Sequence, residues 1–369
     1  MRARGRNQSD GRRQRGVAMV VALMMTATLS FLALSVSEKM RASARRTILS
    51  ADRSELYWRA ISAETLAREA LADLQQTSGA AGAANVQLTL TSPFFLAPVD
   101  IPMPDGLASL QFADAGRCFN LNSLAGGGAR ARANEPDNGD GDSERDDGAQ
   151  DRGEGSDRQA TPRAEFIELL TLLGLSDGDS ARLTSTIVDW IDPDDVTSLN
   201  GAEDDFYSNL PAPFRTGGAP LADVSELRAM RGFDEVVYQG LRPFACALPH
   251  SEPTVLNVNM LRAQDLPVLA AIISSATEAR VDPQDLMSVL EARPPEGWSD
   301  VQSFWSDPAL AEYEVPEAIR GARTTINSRM IEARAIVGRN GVEVTVTLTF
   351  QAEDDGTYTL LSRVFGEAG

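Results

Sequence analysis

The feature that most constrains this chain is a run of twenty uncharged, mostly apolar residues from Val17 to Val36. An α-helix rises about 1.5 Å per residue, so a run of about 20 residues covers the ~30 Å hydrocarbon core of a bilayer. No glycine or proline occurs between Val17 and Gly79, so nothing breaks the helix where the apolar run ends. The sequence therefore predicts one helix of roughly 60 residues, lipid-embedded in its first part and packed on a soluble domain in its second.

The part of this helix beyond the membrane has one apolar face. Apolar residues recur there at spacings of three and four, which places their side chains on one side of a helix. They are Leu56, Ala60, Ala63, Ala67, Ala70 and Leu74. We expect this face to pack against the soluble domain, and the Gly-Ala run at 79–84 to end the helix.

Alternating apolar and polar residues predict strands near both ends of the soluble part. The alternation is clearest over 342–350, with Asn340-Gly341 predicting a tight turn before it and 354–356 a turn after it. The predicted strands cover 86–91, 107–112, 331–337, 342–350 and 357–365, with a proline-rich connection between the first two. A long helix laid across an antiparallel sheet predicts an α+β fold.

The sixteen residues before the apolar run contain six arginines and one aspartate, and they end at Gly16. A secretory signal has a small-residue cleavage site after its apolar region, and no such site follows this run. A removable basic leader before a retained membrane helix is the favoured interpretation, and a plain signal-anchor is the alternative. Lys39, Arg41, Arg45 and Arg46 follow the run, so the positive charge indicates orientation only modestly.

The charge of the chain excludes several function classes. The formal net charge is −19, and losing a leader of charge +5 would make it −24 (−19 − 5). So acidic a protein repels nucleic acid and anionic membrane surfaces, and it favours divalent cations or a basic partner. His250 is the only histidine, whereas catalytic and zinc sites based on histidine usually need more than one. Without a phosphate-binding loop or a Gly-x-Ser-x-Gly motif, the sequence predicts no enzyme.

Two cysteines, Cys118 and Cys246, lie far apart in the sequence. An exported chain with an even number of cysteines can pair them. A disulfide is therefore predicted, worth up to ~5 kcal/mol in the chain-entropy model because the closed loop is long. Two buried free thiols are the alternative.

The middle of the chain changes character at residue 161. Residues 126–161 contain no Val, Ile, Leu or aromatic residue but ten acidic residues and five arginines, so a disordered acidic loop is predicted. Helical periodicity dominates afterwards, with Asp179 or Ser180 capping a helix that Pro193 ends. The predicted helices cover 165–173, 179–190, 225–231, 234–241, 262–275, 283–291 and 299–305.

Seven acids flank one short loop beside apolar residues. They are Asp189, Asp192, Asp194, Asp195, Glu203, Asp204 and Asp205. Like charges so close together are unfavourable unless something neutralises them, and Ca²⁺ accepts six to eight hard oxygen ligands in irregular geometry. The spacing is not that of an EF-hand, because the fifth position from Asp192 is Val196. A solvated acidic loop with helix caps is the alternative, and a carboxylate catalytic site in a membrane-anchored enzyme is a second one.

The basic leader, Gly16 and the apolar run together resemble the type IV prepilin family. That resemblance implies cleavage after Gly16 by a prepilin peptidase and methylation of the new N-terminal residue, Val17. Most members have glutamate at the fifth mature position, where this chain has Val21. The K subunits of type II secretion systems share this departure.

Further motifs, in the family's order, are similar to those of the type II secretion protein K family. They are Tyr57-Trp58-Arg59-Ala60, Glu64-Thr65-Leu66-Ala67, Phe119-Asn120-Leu121-Asn122-Ser123-Leu124, Asp189–Asp195, Gly201–Asp205, Tyr207, Pro220-Leu221, Ser225–Arg228, Gly232 and Leu256-Asn257-Val258-Asn259. In each Asn-x-Asn motif we expect the asparagine to bond its own backbone and fix the turn from strand to helix.

The family implies a pseudopilin fold, in which the long transmembrane helix packs on an antiparallel sheet, with inserted helical domains resembling sterile-alpha-motif folds. The expected divisions are a leader (1–16), a membrane helix (17–36), the first part of the core (37–125), the acidic loop (126–161), two helical domains (162–250 and 251–325) and a β meander (326–369). It also implies Ca²⁺ held by acids, for which Asp192, Asp194, Asp195, Glu203, Asp204 and Asp205 match.

By the same resemblance, the chain is expected to be a minor pseudopilin at the tip of the periplasmic pseudopilus, initiating or capping its assembly. The implied partners are the minor pseudopilins I and J, the major pseudopilin, the prepilin peptidase and the assembly platform of the bacterial inner membrane. Residues 256–273 and 281–290 also resemble a helix-hairpin-helix unit, which binds DNA in other proteins. The acidic body and the missing glycine-rich hairpin favour no nucleic-acid partner.

Overall fold

The structure is a computed structural model that describes residues 10–77, 89–103, 106–125, 161–277, 279–339, 342–353 and 357–366. The α-helices of these residues are α1 (Asp10–Thr77), α2 (Pro93–Leu96), α3 (Pro162–Leu172), α4 (Asp177–Ile191), α5 (Asp204–Ser208), α6 (Glu235–Leu241), α7 (Leu266–Ala276), α8 (Met287–Glu291), α9 (Val301–Trp305), α10 (Pro308–Ala311) and α11 (Glu317–Arg323). Their strands are β1 (Val99–Met103), β2 (Gly106–Asp114), β3 (Phe119–Asn120), β4 (Ala245–Cys246), β5 (Leu256–Asn257), β6 (Thr324–Thr325), β7 (Met330–Arg339), β8 (Val342–Ala352) and β9 (Tyr358–Phe365).

Helix α1 confirms the predicted long helix. Of its predicted apolar face, Leu56, Ala60, Ala63 and Ala67 are fully buried. Ala70 packs at the edge of the same core, and the side chain of Leu74 lies outside the described residues. Because the alanine side chains of this face allow close approach, the second half of α1 packs directly on the sheet.

The sheet is antiparallel, with strand order β1-β2-β7-β8-β9. The predicted C-terminal meander is confirmed by β7, β8 and β9. Arg339 pairs with Val342 across β7 and β8, which leaves two residues for the predicted turn; Asn340 and Gly341, like 354–356, lie outside the described residues. The alternation of apolar and polar residues predicts β7 and β8 because one face of each of these two strands is buried under α1.

The first part of the sheet differs from the prediction. Residues 99–103, predicted as part of a connection, form the edge strand β1, where Pro102 is tolerated because one side of an edge strand makes no ladder hydrogen bonds. Of the strand predicted at 86–91, residues 86–88 lie outside the described residues. Residues 89–91 belong to a turn in which Ser92 N donates to Thr89 O at 3.0 Å.

A helical body is inserted between β2 and β7, and it divides into two modules. The first helical module, residues 119–246, is closed by parallel pairing of β3 with β4. The second helical module, residues 256–325, is closed by parallel pairing of β5 with β6. Residues 126–160 of the predicted acidic loop lie outside the described residues.

Several helix boundaries differ from the predictions. Ser176, not Asp179 or Ser180, caps α4, because its Oγ accepts from Asp179 N at 3.1 Å. The helix predicted at 225–231 is a 3-10 helix, Val224–Ala229, inside a capping box made by Asp223 and Glu226. The helix predicted at 262–275 is split into a 3-10 turn and α7, whose first turn contains Pro267.

The helical body lies at the end of the sheet farther from the membrane part of α1. The Tyr57 ring stacks on the Phe365 ring with their centroids 4.5 Å apart. Further along α1, the Arg68 Cζ atom lies 5.3 Å from the centroid of the Phe350 ring. Phe350 pairs with Ile331, and Ile331 pairs with Asp114, the last residue of β2. The chain therefore leaves the sheet beside the membrane-distal end of α1.

Candidate functional site

The candidate membrane-spanning part of the protein is the first half of α1. It contains an apolar window with a mean hydropathy of 2.2, and none of that window is buried. Among the described residues, α1 alone is long and apolar enough to cross a membrane by length and composition. Gly16 and Val17, the predicted processing site, lie within this helix.

Three carboxylates converge in the first helical module. Asp189 lies in the last turn of α4, Asp192 is the C-cap of that helix, and Glu203 is the N-cap of α5. One oxygen atom from each carboxylate lies within 4.8 Å of the other two. Asp189 and Glu203 are 0% and 2% exposed, so two of these three acids are removed from water.

The loop from 192 to 203 is shaped around Asp189. Ser198 N donates to both carboxylate oxygens of Asp189, at 3.1 and 3.2 Å. Asn200 has a positive φ of 66°, and a Cβ atom at Gly201 would collide with the Asp189 carboxylate. Glycine at 201 is therefore required for the loop to approach α4.

Aromatic side chains anchor the same loops. Trp190 contacts Tyr207 edge-on at 5.3 Å, and Tyr207 packs against Phe214 at 5.2 Å. The Tyr207 hydroxyl accepts a hydrogen bond from Arg231 N at 3.1 Å. The buried acids Asp189 and Glu203 thus lie on elements that carry the buried aromatic residues Trp190 and Tyr207.

The electrostatics of the cluster favour a bound cation. Neither carboxylate oxygen of Glu203 has a hydrogen-bond partner among the described residues. Burial, followed by the charges of Asp189 and Asp192, raises the pKa of Glu203 to about 7. A cation placed among the three carboxylates would remove this repulsion and supply the missing partner of Glu203.

The structure brings together two of the six predicted ligands, Asp192 and Glu203. Asp194 accepts from Val196 N at 3.0 Å, and Asp204 accepts from Thr216 N at 2.8 Å, which lowers the pKa of Asp204. Asp195 and Asp205 are exposed, and all four lie outside the cluster. The prediction omitted Asp189 as a ligand, although its spacing of three from Asp192 indicates one helical face.

Each helical module begins at an Asn-x-Asn motif, and the first is also cross-linked. The Oδ1 atom of Asn120 accepts from Asn122 N at 3.2 Å, the local turn that the motif predicts. The first module begins and ends beside a disulfide between Cys118 and Cys246, whose Cα atoms are 5.7 Å apart. These contacts fix both chain crossings between the sheet and the module that contains the acids.

A long helix, whose apolar first half lies outside any core and whose second half covers an antiparallel sheet, is the architecture of a pseudopilin. In this chain the pseudopilin sheet is interrupted by two helical modules. Two family models, both described as "Type II secretion system (T2SS), protein K", match residues 117–250 and 256–322.

The chain is also similar to proteins named type II secretion system protein K. It is 32% identical to that of Klebsiella pneumoniae, with 83% of each chain covered, and 28% identical to that of Aeromonas hydrophila, with 97% of this chain and 98% of the relative covered. Its fold matches a chain of the GspK-GspI-GspJ complex from the enterotoxigenic Escherichia coli type 2 secretion system, with a TM-score of 0.64 and 25% identity over 87% of this chain and 99% of that one.

The chain belongs to the type II secretion system protein K family, and it is a minor pseudopilin. The catalytic and DNA-binding alternatives receive no support from these comparisons.

Proposed function

We propose that this protein assembles with the minor pseudopilins I and J at the tip of a type II pseudopilus, and that it acts by assembly rather than by turnover. The similar Escherichia coli structure is a complex of GspK, GspI and GspJ. The observation that carries the proposal is the placement of the helical body beside the membrane-distal end of α1. A bulky body at that end would cover the surface on which a further subunit would pack.

The test of this placement is co-purification of the tagged full chain from membranes that contain the other pseudopilins. We expect I and J to be recovered together with it in stable stoichiometry. Recovery of the major pseudopilin without I and J would place the chain along the shaft and contradict the proposal. Recovery of none of them would contradict assembly altogether.

The first half of α1 supports anchoring in the bacterial inner membrane, with the soluble part in the periplasm. Prepilin peptidase would cut after Gly16, leaving Val17 as the methylated N-terminus, before insertion into the fibre by the assembly platform. Val21 fits a tip position, because a tip subunit needs no buried carboxylate to pair with the terminal amine of a subunit above it.

Processing is tested by the intact mass of the chain expressed with and without prepilin peptidase. We expect a mass corresponding to residues 17–369, with or without one methyl group, only when the peptidase is present. An uncut chain in both cultures would show a signal-anchor. In that case the acidic cluster would be tested as an independent site.

The acidic cluster supports a structural Ca²⁺ ion. Asp189, Asp192 and Glu203 would hold the ion. The other four predicted ligands, Asp194, Asp195, Asp204 and Asp205, lie outside the cluster. Carboxylate oxygens are the ligands that Ca²⁺ prefers, and the partnerless oxygens of Glu203 fit such an ion. The ion would neutralise the cluster and fix the loop from 192 to 203 against α4.

Thermal unfolding of the chain in chelator and in added Ca²⁺ tests the metal. Because an ion that binds only the folded state stabilises it by mass action, we expect Tm to rise with Ca²⁺ concentration. Mg²⁺ at the same concentration is the control, since it demands a smaller octahedral site. An unchanged Tm would refute the site.

A further inference from the structure

A cleft of about 450 Å³ lies between the sheet and the first helical module. Its sheet wall includes Glu332 of β7, Thr347 of β8 and Val364 of β9, and its other wall includes Leu221 and Val224. The sheet residues belong to the face opposite α1. The strand neighbours of Glu332 and Thr347 are buried in the core under that helix, and Phe365, next to Val364, stacks on Tyr57 of α1. This cleft is separate from the acidic cluster of the first module.

Glu332 is the residue of the cleft on which ligand binding would depend. It makes no hydrogen bond or ion pair with any other residue in the described part of the chain. Burial raises the pKa of its carboxyl group, and the nearby charges of Arg117 and Arg334 only partly oppose this. A carboxylate in that position gains free energy from any cation that enters the cleft.

Thr347 supplies a second unused acceptor. The residue is 5% exposed, and its Oγ1 has no hydrogen-bond partner among the residues that the structure describes. Arg334 pairs with Thr347 and Glu332 pairs with Thr349, so Thr347 lies diagonal to Glu332 on the same face. Such diagonal neighbours are roughly 7–8 Å apart at the backbone, within reach of one shared ligand.

The other charged side chains that line the cleft are already paired, and Arg334, two residues from Glu332 on β7, does not line it. Arg117 contacts Asp265 at 3.3 Å, and Asp114 accepts from Gly116 N at 2.7 Å and from Ser328 Oγ at 2.6 Å. Asp223 accepts from Ser225 N at 2.8 Å in its helix cap. Glu332 therefore remains as the carboxylate available to a ligand.

We propose that this cleft receives a lysine side chain of a neighbouring protein chain. An ammonium group has three donors and is compact, which suits the two oxygens of Glu332 and the hydroxyl of Thr347. Its methylene stem would lie along Leu221, Val224 and Val364. Arginine suits the cleft less, because its planar fork presents five donors to these few acceptors. Charge complementarity also favours a basic partner, since the chain has a net charge of −19.

The proposal rests on the proposed function in that the neighbouring chain is another pseudopilus subunit. The test is carbodiimide coupling of carboxyl to amine in membranes that contain the full chain and the other pseudopilins, read by mass spectrometry of digests. We expect an amide between Glu332 and a lysine of another chain, and its loss in Glu332→Gln. The matched control is Glu343→Gln, an exposed acid of the same sheet, which should leave the Glu332 amide unchanged.

Added methylamine makes every result of this experiment informative. Coupling of Glu332 to methylamine but never to a lysine would show an open cleft without a protein occupant, and would overturn the proposal. Coupling to neither amine would overturn it as well. Co-purification of I and J without the Glu332 amide would contradict the lysine-binding proposal and leave the proposed function intact. An amide between Glu332 and a lysine of a different protein would support lysine binding in the cleft and contradict the partners named above.

Thr347→Val separates a binding role from a structural one. The change keeps the size of the side chain and removes only the hydroxyl, so we expect about tenfold weaker association with the partner chain, the size of a lost hydrogen bond to a charged group. Tm should stay equal or rise, because a buried hydroxyl without a partner is removed. Unchanged association with a lower Tm would show that Thr347 is only structural.

The pH dependence gives a further readout. An ammonium ion binds ionised Glu332, so association should strengthen as the pH rises through the raised pKa of this carboxyl group. Glu332→Gln should flatten that profile. A profile that is the same in both proteins would contradict the assignment of Glu332.

Discussion

The two helical modules are closed by the same device. In the first, Asn122 accepts from Leu221 N at 2.7 Å and donates to Leu221 O at 3.0 Å. In the second, Asn259 accepts from Trp298 N at 2.7 Å and donates to Trp298 O at 3.0 Å. Each asparagine thus satisfies both backbone groups of one distant residue, which a buried loop otherwise leaves unpaired.

The modules differ in what surrounds this device. The first has the disulfide and the three converging acids, and Thr325 of β6 lies at the place that corresponds to Cys246 of β4. The second is filled by aromatic side chains such as Phe304 and Trp305, and its described residues contain no comparable cluster of metal-binding groups. The comparison indicates that the same asparagine device can close a module with an apolar core or a module with a charged site, because the charged site lies on loops away from the asparagine.

The largest effect is expected where the modules meet. Arg323 of the second module forms a buried ion pair with Glu165 of the first and also donates a hydrogen bond to Thr254 O. Arg323→Met would leave the Glu165 carboxylate buried without a partner. We expect a loss of about 3–5 kcal/mol in the free energy of unfolding, measured by urea titration. Arg280→Met is the matched control, because its exposed pair with Asp177 at 3.2 Å also joins the modules and should cost less than about 1 kcal/mol. Equal losses would show that burial does not decide the coupling.

The disulfide tests whether the first module needs more closure than the second. Replacing Cys118 and Cys246 together by alanine should cost about 2–5 kcal/mol, because the unfolded chain gains the freedom of a long loop. Unfolding with and without reductant gives the measurement. No change on reduction would mean that the asparagine device and the β3–β4 pairing close the first module without the disulfide, as the corresponding contacts close the second.

Replacing Asn122 and Asn259 in turn compares the two asparagine devices directly. Asn122→Leu and Asn259→Leu keep the approximate volume and leave buried backbone groups unpaired, so we expect losses of about 2–4 kcal/mol. Asn122 should cost more, because it also donates to Leu248 O at 2.8 Å. Asn209→Leu at an exposed position is the control. A comparable loss of unfolding free energy there would contradict the role of the two buried asparagines in closing the modules.

The smallest effect is expected at Glu203, and its sign depends on the metal. Because its folded pKa of about 7 lies above the ordinary 4.5, the folded state loses stability as the pH rises through 7 without a cation. Glu203→Gln in chelator at pH 8 should therefore raise Tm by about 2–4 °C, and should change nothing below pH 4.5. With added Ca²⁺ the variant should gain less than the wild-type protein. A lower Tm of the variant in chelator would contradict the charge repulsion.

Prediction from the sequence succeeded where the signal is local. The long helix and the meander follow from periodicities of 3.6 and 2 residues, which each element shows within its own residues. The turn made by Asn120 is also local, since its partner is two residues away. Strand β1 was missed because only the edge position of the strand makes Pro102 acceptable.

The sequence by itself determined the apolar span, the acidic balance and the family motifs, because these depend on composition and short spacing. The tertiary structure decided which acids meet and which asparagine holds which loop. Asn122 and Leu221 are separated by 99 residues, and Asp189 joins Glu203 only because Gly201 lets the loop fold back on α4. Such contacts depend on the path of the whole chain, and no short pattern in the sequence records that path.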